Sequence, residues 1–127
     1  MIIRIFLAVA AIFGGFSVAA GAFASHALKN YLNEQSIAIF ETGVRYQMYH
    51  SLALLLVALL LTHAELPLPT ALIASGIAFI SGIVIFSGSL YALSLSGIKW
   101  LGAITPLGGA AFLIGWGCLA VAAFSFK

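Results

Sequence analysis

The part of this sequence richest in reactive side-chain types is FETGVRYQMYH, which lies just before the nearly apolar run SLALLLVALLLT. Glu41 and Arg45 stand four residues apart, a spacing at which oppositely charged side chains meet on one face of a helix. Tyr46 and His50 repeat that spacing. The stretch is therefore a candidate for a reaction site, for a ligand site, or for the polar collar where a helix enters a membrane.

Metal and catalytic chemistry lack the spacing that they need. His26, Glu41 and His50 are the available metal ligands, but the last two are nine residues apart, about half a turn out of phase on a straight helix. No H-E-x-x-H pattern is present. Ser87 or Ser89 could act as a nucleophile with His50, but no G-x-S-x-G elbow supports that interpretation. We predict no enzyme, no catalytic residue, no metal site and no cofactor.

The composition places these residues in a membrane protein. Of 127 residues, 64% are hydrophobic and only 6% are charged, whereas soluble domains carry about 25% charged residues. The net charge of +2 includes no basic stripe, which argues against a nucleic-acid partner. Cys118 is the only cysteine, which excludes an intrachain disulfide and a cysteine-based zinc site. The lipid bilayer is the partner that the composition predicts.

Four segments are apolar and long enough, or nearly so, to span a bilayer as helices, because spanning takes about 20 apolar residues. They are residues 5–25, 46–62, 70–96 and 105–126. The start of the chain is similar to a secretory signal peptide. Its apolar run, however, is long enough to span a bilayer, which predicts a first helix that is retained. We predict an all-α membrane protein, with residues 1–127 forming one domain: a compact up-down bundle of four transmembrane helices.

A short amphipathic helix is predicted at the membrane interface between the first two spans. It covers residues 34–42, with Asn33 as its N-cap, and it either bends at Gly43 or continues into the second span. A second cap is predicted at Thr105, with Pro106 as the first helical residue.

Folding the chain up and down collects most polar groups on one side of the membrane. We call the side where the first helix starts side A and the opposite side side B. Side A receives Arg4, His63, Glu65 and Lys127. The candidate ligand-binding residues lie in the side-B half, where they form either an interfacial collar or a shallow polar cavity. They are His26, Glu41, Arg45, Tyr46, His50, Ser87, Ser89, Tyr91 and Thr105.

Small residues recur at steps of three and four in three of the spans, and such stripes let membrane helices approach closely. In the first span the stripe is Ala10, Gly14, Ser17, Gly21 and Ala24. The second span is instead rich in leucine, and we predict that it faces lipid or a second protein.

Four blocks of the sequence resemble the signature blocks of a known family, in the same order and over nearly the whole chain. They are AGAFASHALK, FETGVRYQMYHSLALL, FSGSLYALSLSG and LGAITPLGGAAFLIGW. The chain resembles the YgdD-like membrane proteins, known as domain of unknown function 423 and similar to the eukaryotic transmembrane protein 256. Ser25 departs from the glycine or alanine expected in the first block. The resemblance implies a multi-pass protein of a bacterial inner or plasma membrane, and it implies no reaction.

Two functional hypotheses follow. The first is a non-enzymatic accessory or assembly subunit, or a small homo-oligomer, that associates with a membrane-protein partner through the second span or the side-B surface. The alternative is a module that binds or transports a small solute, a lipid headgroup or an ion in a polar pocket on side B.

Overall fold

The computed structural model of the chain describes residues 1–126, and all of its regular elements are helical. Lys127, assigned to side A from the sequence, lies outside the described residues. The main elements are α1 (Ile2–His26), α2 (Glu34–Thr62), α3 (Thr70–Gly82), a π-helical segment (Ile83–Ser87), α4 (Gly88–Ser96) and α5 (Thr105–Ala123). Short 3-10 turns at Leu28–Asn30 and Lys99–Ala103 precede α2 and α5.

The four predicted spans are confirmed. Four helical stretches are long and apolar enough to cross a membrane: Ile2–Asn30, Glu34–Thr62, Thr70–Ser96 and Lys99–Ala123. The third of them joins α3, the π-helical segment and α4 into one continuous rod. The π-helical segment had no counterpart in the sequence analysis.

The chain enters α2 as Asn33 predicts, since the Asn33 side chain accepts a hydrogen bond from the Ser36 amide at 2.8 Å. The helix then continues through Gly43 without a break. The predicted amphipathic helix is therefore the first part of α2 and not a separate element. At the end of α4, Gly97 adopts the left-handed conformation, with φ of 71°, that commonly terminates a helix.

The cap predicted at Thr105 is wrong by one residue. Ile104 is the N-cap of α5, and Thr105 is already helical, with Pro106 behind it in the first turn. The Thr105 hydroxyl does not cap the helix because it forms a hydrogen bond with the Ser89 hydroxyl at 2.6 Å. Thr105 therefore ties α5 to α4.

The predicted role of the second span holds for only part of its surface. In the most apolar 18-residue stretch of α2, 44% of the residues are buried, whereas the same measure is 17% in each of the first and last spans. Leu54, Val57 and Leu61 are at most 1% exposed. These residues belong to the core because α2 packs against α1 on one side and against α3 and α4 on the other. The outward face of α2 keeps three exposed leucines, which are Leu52, Leu56 and Leu59. Within residues 1–126, α1 and α5 are the outer helices and do not form an interface with each other.

Small residues form the contacts between helices, as their spacing predicts. The stripe on α1 faces α2, and its Ala10, Ser17 and Ala24 are at most 4% exposed. Between α3 and α5 the contact is reciprocal: the Phe79 ring lies on Gly115, and the Phe112 ring lies on Gly82. A β-carbon on either glycine would collide with the facing ring, so glycine is required for this approach.

Candidate functional site

The stretch 40–50 has an inner face that points into the bundle. Phe40, Gly43, Gln47 and His50 are all buried, and their steps of three, four and three residues place them on one side of α2. Gln47 is 3% exposed and His50 is 5% exposed. Two strongly polar side chains are therefore held inside the protein, where each needs hydrogen-bond partners.

At Gly43, α2 lies close against the third span. Its carbonyl accepts a hydrogen bond of 2.7 Å from the Ser87 hydroxyl in the π-helical segment. A β-carbon at Gly43 would lie 2.9 Å from the Tyr91 ring. Phe40 packs on that same ring, with centroids 4.8 Å apart. Gly43 is thus required at this position so that the Tyr91 ring can lie directly against α2.

Gln47 joins three helices through its amide. Its nitrogen donates to the Phe13 carbonyl of α1 at 2.9 Å, and its oxygen accepts from the Tyr91 hydroxyl of α4 at 2.7 Å. The Ser17 hydroxyl donates to the same Phe13 carbonyl at 2.8 Å. Both functional atoms of the Gln47 side chain are satisfied, so this group acts as a cross-link and not as a free ligand.

His50 is fixed in one tautomer by its two partners. Its Nδ1 lies 2.7 Å from the Tyr46 carbonyl, which can only accept a hydrogen bond. Its Nε2 accepts from the Trp116 indole at 3.1 Å, since an indole nitrogen can only donate. The ring is therefore neutral, with its proton on Nδ1. The Phe112 ring stacks on the imidazole, with ring centroids 3.5 Å apart and an interplanar angle of 7°. With both nitrogens engaged, His50 is not available as a base or a metal ligand.

The outer face of the same stretch is different in character. Arg45 is exposed, and its guanidinium donates to the Thr42 hydroxyl at 3.3 Å. Within residues 1–126, it makes no hydrogen bond to Glu41, so the ion pair suggested by their spacing is not formed there. Tyr46 and Tyr49 are 39% and 54% exposed.

The nine candidate residues predicted from sequence are not gathered into one cavity. His26 is exposed at the last residue of α1. Ser87 and Tyr91 contact the inner face of α2, and Ser89 pairs with Thr105. Across the part of the chain that the structure describes, no group of three histidine, cysteine or acidic residues could hold a metal ion.

Two grooves open on opposite faces of the bundle. One, of about 700 Å³, lies between α2 and α5, and it includes Tyr46, Tyr49, His50, Pro106, Phe112 and Trp116 in its walls. The other, of about 350 Å³, lies between α1 and α4, where Phe16, Phe23 and Tyr91 contribute to its walls. Of the nine candidates, Tyr46 and His50 thus share the first groove, and Tyr91 borders the second.

Sequence reasoning missed two residues that organise this region. Gln47 lies in the quoted stretch, and its spacing from Gly43 and His50 was the available indication that it faces inward. Trp116 lies 66 residues from His50 along the chain, and no local pattern connects them.

Comparison with known proteins agrees with the predicted resemblance. A family described as "Protein of unknown function (DUF423)" matches residues 20–109. The UPF0382 membrane protein YwdK of Bacillus subtilis is 42% identical over 123 residues, which cover 97% of this chain and 98% of the relative. A UPF0382 membrane protein of Haemophilus influenzae is 41% identical over 126 residues, covering 96% and 95%. One of Staphylococcus epidermidis is 39% identical over 123 residues, covering 97% and 98%.

No solved structure matches the chain. The relatives are named as membrane proteins, and the four spans agree with those names. The chain is therefore a multi-pass integral membrane protein that belongs to the DUF423 family, whose function is unknown.

Proposed function

We propose that this protein is a non-enzymatic membrane subunit that works by binding other membrane helices, beginning with those of a second copy, through the outer face of α1. The observation that carries this proposal is a second stripe of small residues on α1. Its members are exposed and follow steps of three and four: Ala8, Ala11, Gly15, Ala19 and Ala22.

The two stripes of α1 lie on opposite faces of the helix. At about 100° per residue, Gly15 and Ser17 are separated by about 160° around the axis. The inner stripe, which includes Ser17, already packs against α2. The outer stripe has the same spacing, and a β-carbon on Gly15 would meet no atom within 4 Å. A helix face of this kind suits a close contact with another membrane helix.

A role without catalysis is supported by the way in which the polar side chains are used. Among residues 1–126, no buried side-chain nitrogen or oxygen lacks a hydrogen-bond partner. His50 and Gln47, the polar groups best placed for chemistry, are committed to neighbouring helices. The alternative of a solute or ion pocket receives less support, since five of the candidate groups already have partners inside the protein: His50, Ser87, Ser89, Tyr91 and Thr105.

The test measures self-association of the full chain in lipid membranes. Copies labelled with a donor or an acceptor fluorophore are reconstituted at low density, and energy transfer reports the dimer fraction. We expect Gly15→Leu to lower the association constant about tenfold or more, because the side chain would hold the helices apart. Gly117→Leu is the matched control, since Gly117 on α5 is also exposed with open space around it.

Equal energy transfer for the two variants would overturn the proposed contact surface. A monomeric wild type that also captures no membrane partner after crosslinking would overturn the proposed function itself.

A further inference from the structure

The groove between α2 and α5 combines an apolar body with a polar mouth. Its deep end holds His50 and Trp116, whose ring nitrogens bond to each other and so present no free polar atom there. Phe112 and Leu113 continue the apolar wall. A ligand in the body of the groove would therefore be a hydrocarbon.

The hydroxyl-bearing side chains that line this groove, Tyr46 and Tyr49, come from the part of α2 between His50 and the side-B end of the helix. Thr42, Tyr46 and Tyr49 share one face of α2, at steps of four and three residues. The Arg45 guanidinium bonds to the Thr42 hydroxyl and is thereby held on that face, one turn beyond Tyr46 toward side B. In the part of the chain described by the structure, the hydroxyls of Tyr46 and Tyr49 have no hydrogen-bond partner.

The charges around the mouth favour an anion. Lys99 and Trp100 are exposed in the 3-10 turn that leads into α5, at the same end of the groove. Glu41 is the acidic residue of this part of α2. It lies about 140° around the helix from Tyr46 but only about 40° from Arg45, so it offsets part of the positive charge there. The two cations, Arg45 and Lys99, outnumber Glu41 at this end of the bundle, although neither lines the groove itself. Together with the phenols of Tyr46 and Tyr49 they supply the hydrogen-bond donors that a phosphate group requires.

The length of the groove matches one leaflet of a bilayer. Pro106 at the mouth and Trp116 at the deep end are ten residues apart on α5, or about 15 Å along the axis. The hydrocarbon core of a bilayer is about 30 Å thick, so one leaflet is about 15 Å deep. The groove therefore ends near the bilayer midplane. A partner helix that spans the membrane would continue past that end, whereas an acyl chain would stop there.

We propose that this groove binds one anionic phospholipid of the side-B leaflet. An acyl chain lies between α2 and α5 against Phe112 and Trp116, and the phosphate accepts hydrogen bonds from Arg45 and from the hydroxyls of Tyr46 and Tyr49. This site is independent of the association face on α1.

Native mass spectrometry of the full chain tests the site, with palmitoyl-oleoyl phosphatidylglycerol and the matching phosphatidylcholine as probes. We expect the wild type to retain phosphatidylglycerol about fivefold more tightly, as one basic side chain near a headgroup predicts. Arg45→Gln should remove that preference. Arg4→Gln is the control for loss of an exposed arginine elsewhere, and it should keep the preference.

A second pair of variants tests the hydrocarbon part. Ala110 is exposed and lines the groove, so Ala110→Trp should fill it and lower retention of both lipids at least fivefold. Val121→Trp adds the same bulk to α5 at a position 63% exposed that is not among the groove-lining residues. If Ala110→Trp does not fold, Leu113→Ser replaces it, because a hydroxyl there makes the wall polar.

Equal retention of the two lipids by the wild type would overturn the proposal. The proposal would also be overturned if Arg45→Gln kept the preference for phosphatidylglycerol, or if the folded groove variant retained both lipids as the wild type does. Either result would mean that the lipid is bound adventitiously. The proposal would also fail if Ala110→Trp disrupted a dimer and left lipid retention unchanged. That result would mean that a second copy of the protein occupies the groove. A negative result for Gly15→Leu would concern only the association face of α1, and the lipid measurements could still be interpreted.

Discussion

The inner and outer faces of residues 40–50 differ more than their composition suggests. Gln47 and His50 are each buried and each bonded through two side-chain atoms to other parts of the protein. Arg45 and Tyr49, on the outer face, are exposed. Both faces carry polar groups in the same stretch of the same helix, yet only one of them has those groups committed to the fold.

This difference shows that a polar residue in a membrane span has no single meaning. On the inner face, hydrogen bonds satisfy each group and hold three helices in register. On the outer face, the groups remain available to lipid headgroups or partners. Substitutions on the two faces should therefore separate stability from function.

The largest effect is expected at Gly43. Gly43→Val would press a branched side chain into the Tyr91 ring, 2.9 Å from the first added carbon, and should lower the free energy of unfolding by about 2–3 kcal/mol. Thermal unfolding in mild detergent measures it. Gly117→Val, at an open position, should be nearly neutral. Equal losses in the two variants would contradict the close approach of α2 and α4.

Removal of the Tyr91 hydroxyl should have the next largest effect. Tyr91→Phe leaves the Gln47 carbonyl oxygen buried without its 2.7 Å partner and should cost about 1 kcal/mol. Tyr49→Phe is the matched control on the outer face and should change stability by less than about 0.5 kcal/mol. Chemical unfolding of both variants measures the two changes in the free energy of unfolding. A larger loss in Tyr49→Phe than in Tyr91→Phe would contradict the assignment of the structural hydrogen bonds to the inner face.

A smaller loss is expected when the histidine acceptor is removed. His50→Phe keeps an aromatic ring against Phe112 but leaves the Trp116 indole without its acceptor, at a cost of about 0.6 kcal/mol. The double variant His50→Phe with Trp116→Phe should recover part of that loss. Additive losses in this double-mutant cycle would mean that the two side chains are not coupled.

The smallest effect is expected at Arg45. Arg45→Gln should change the free energy of unfolding by less than about 0.5 kcal/mol, because the guanidinium is exposed and makes one long hydrogen bond to its own helix. Unfolding of the lipid-free protein in detergent measures it. A loss as large as that of Tyr91→Phe would place Arg45 among the structural residues and remove the contrast between the faces.

Much of the fold could be predicted because local patterns carry it. Apolar length predicts the four spans, the cap at Asn33 predicts the start of α2, and the inner stripe of α1 predicts a close helix contact. The candidate site was harder, since a list of polar residues contains no information about direction. Arg45 and His50 belong to the same polar stretch of the sequence, yet Arg45 is exposed and His50 is buried.

The order of the residues was enough to establish that the chain lies in a lipid bilayer, that it has four spans, and that most polar groups collect on one side of the membrane. Those properties depend on runs of apolar residues and on chain order, which are local quantities. Three features became known from the helix packing alone: α2 is central, His50 accepts a hydrogen bond from Trp116, and Thr105 pairs with Ser89 and does not cap α5. These contacts join residues far apart in the chain, and they depend on which helices become neighbours, which no local spacing specifies.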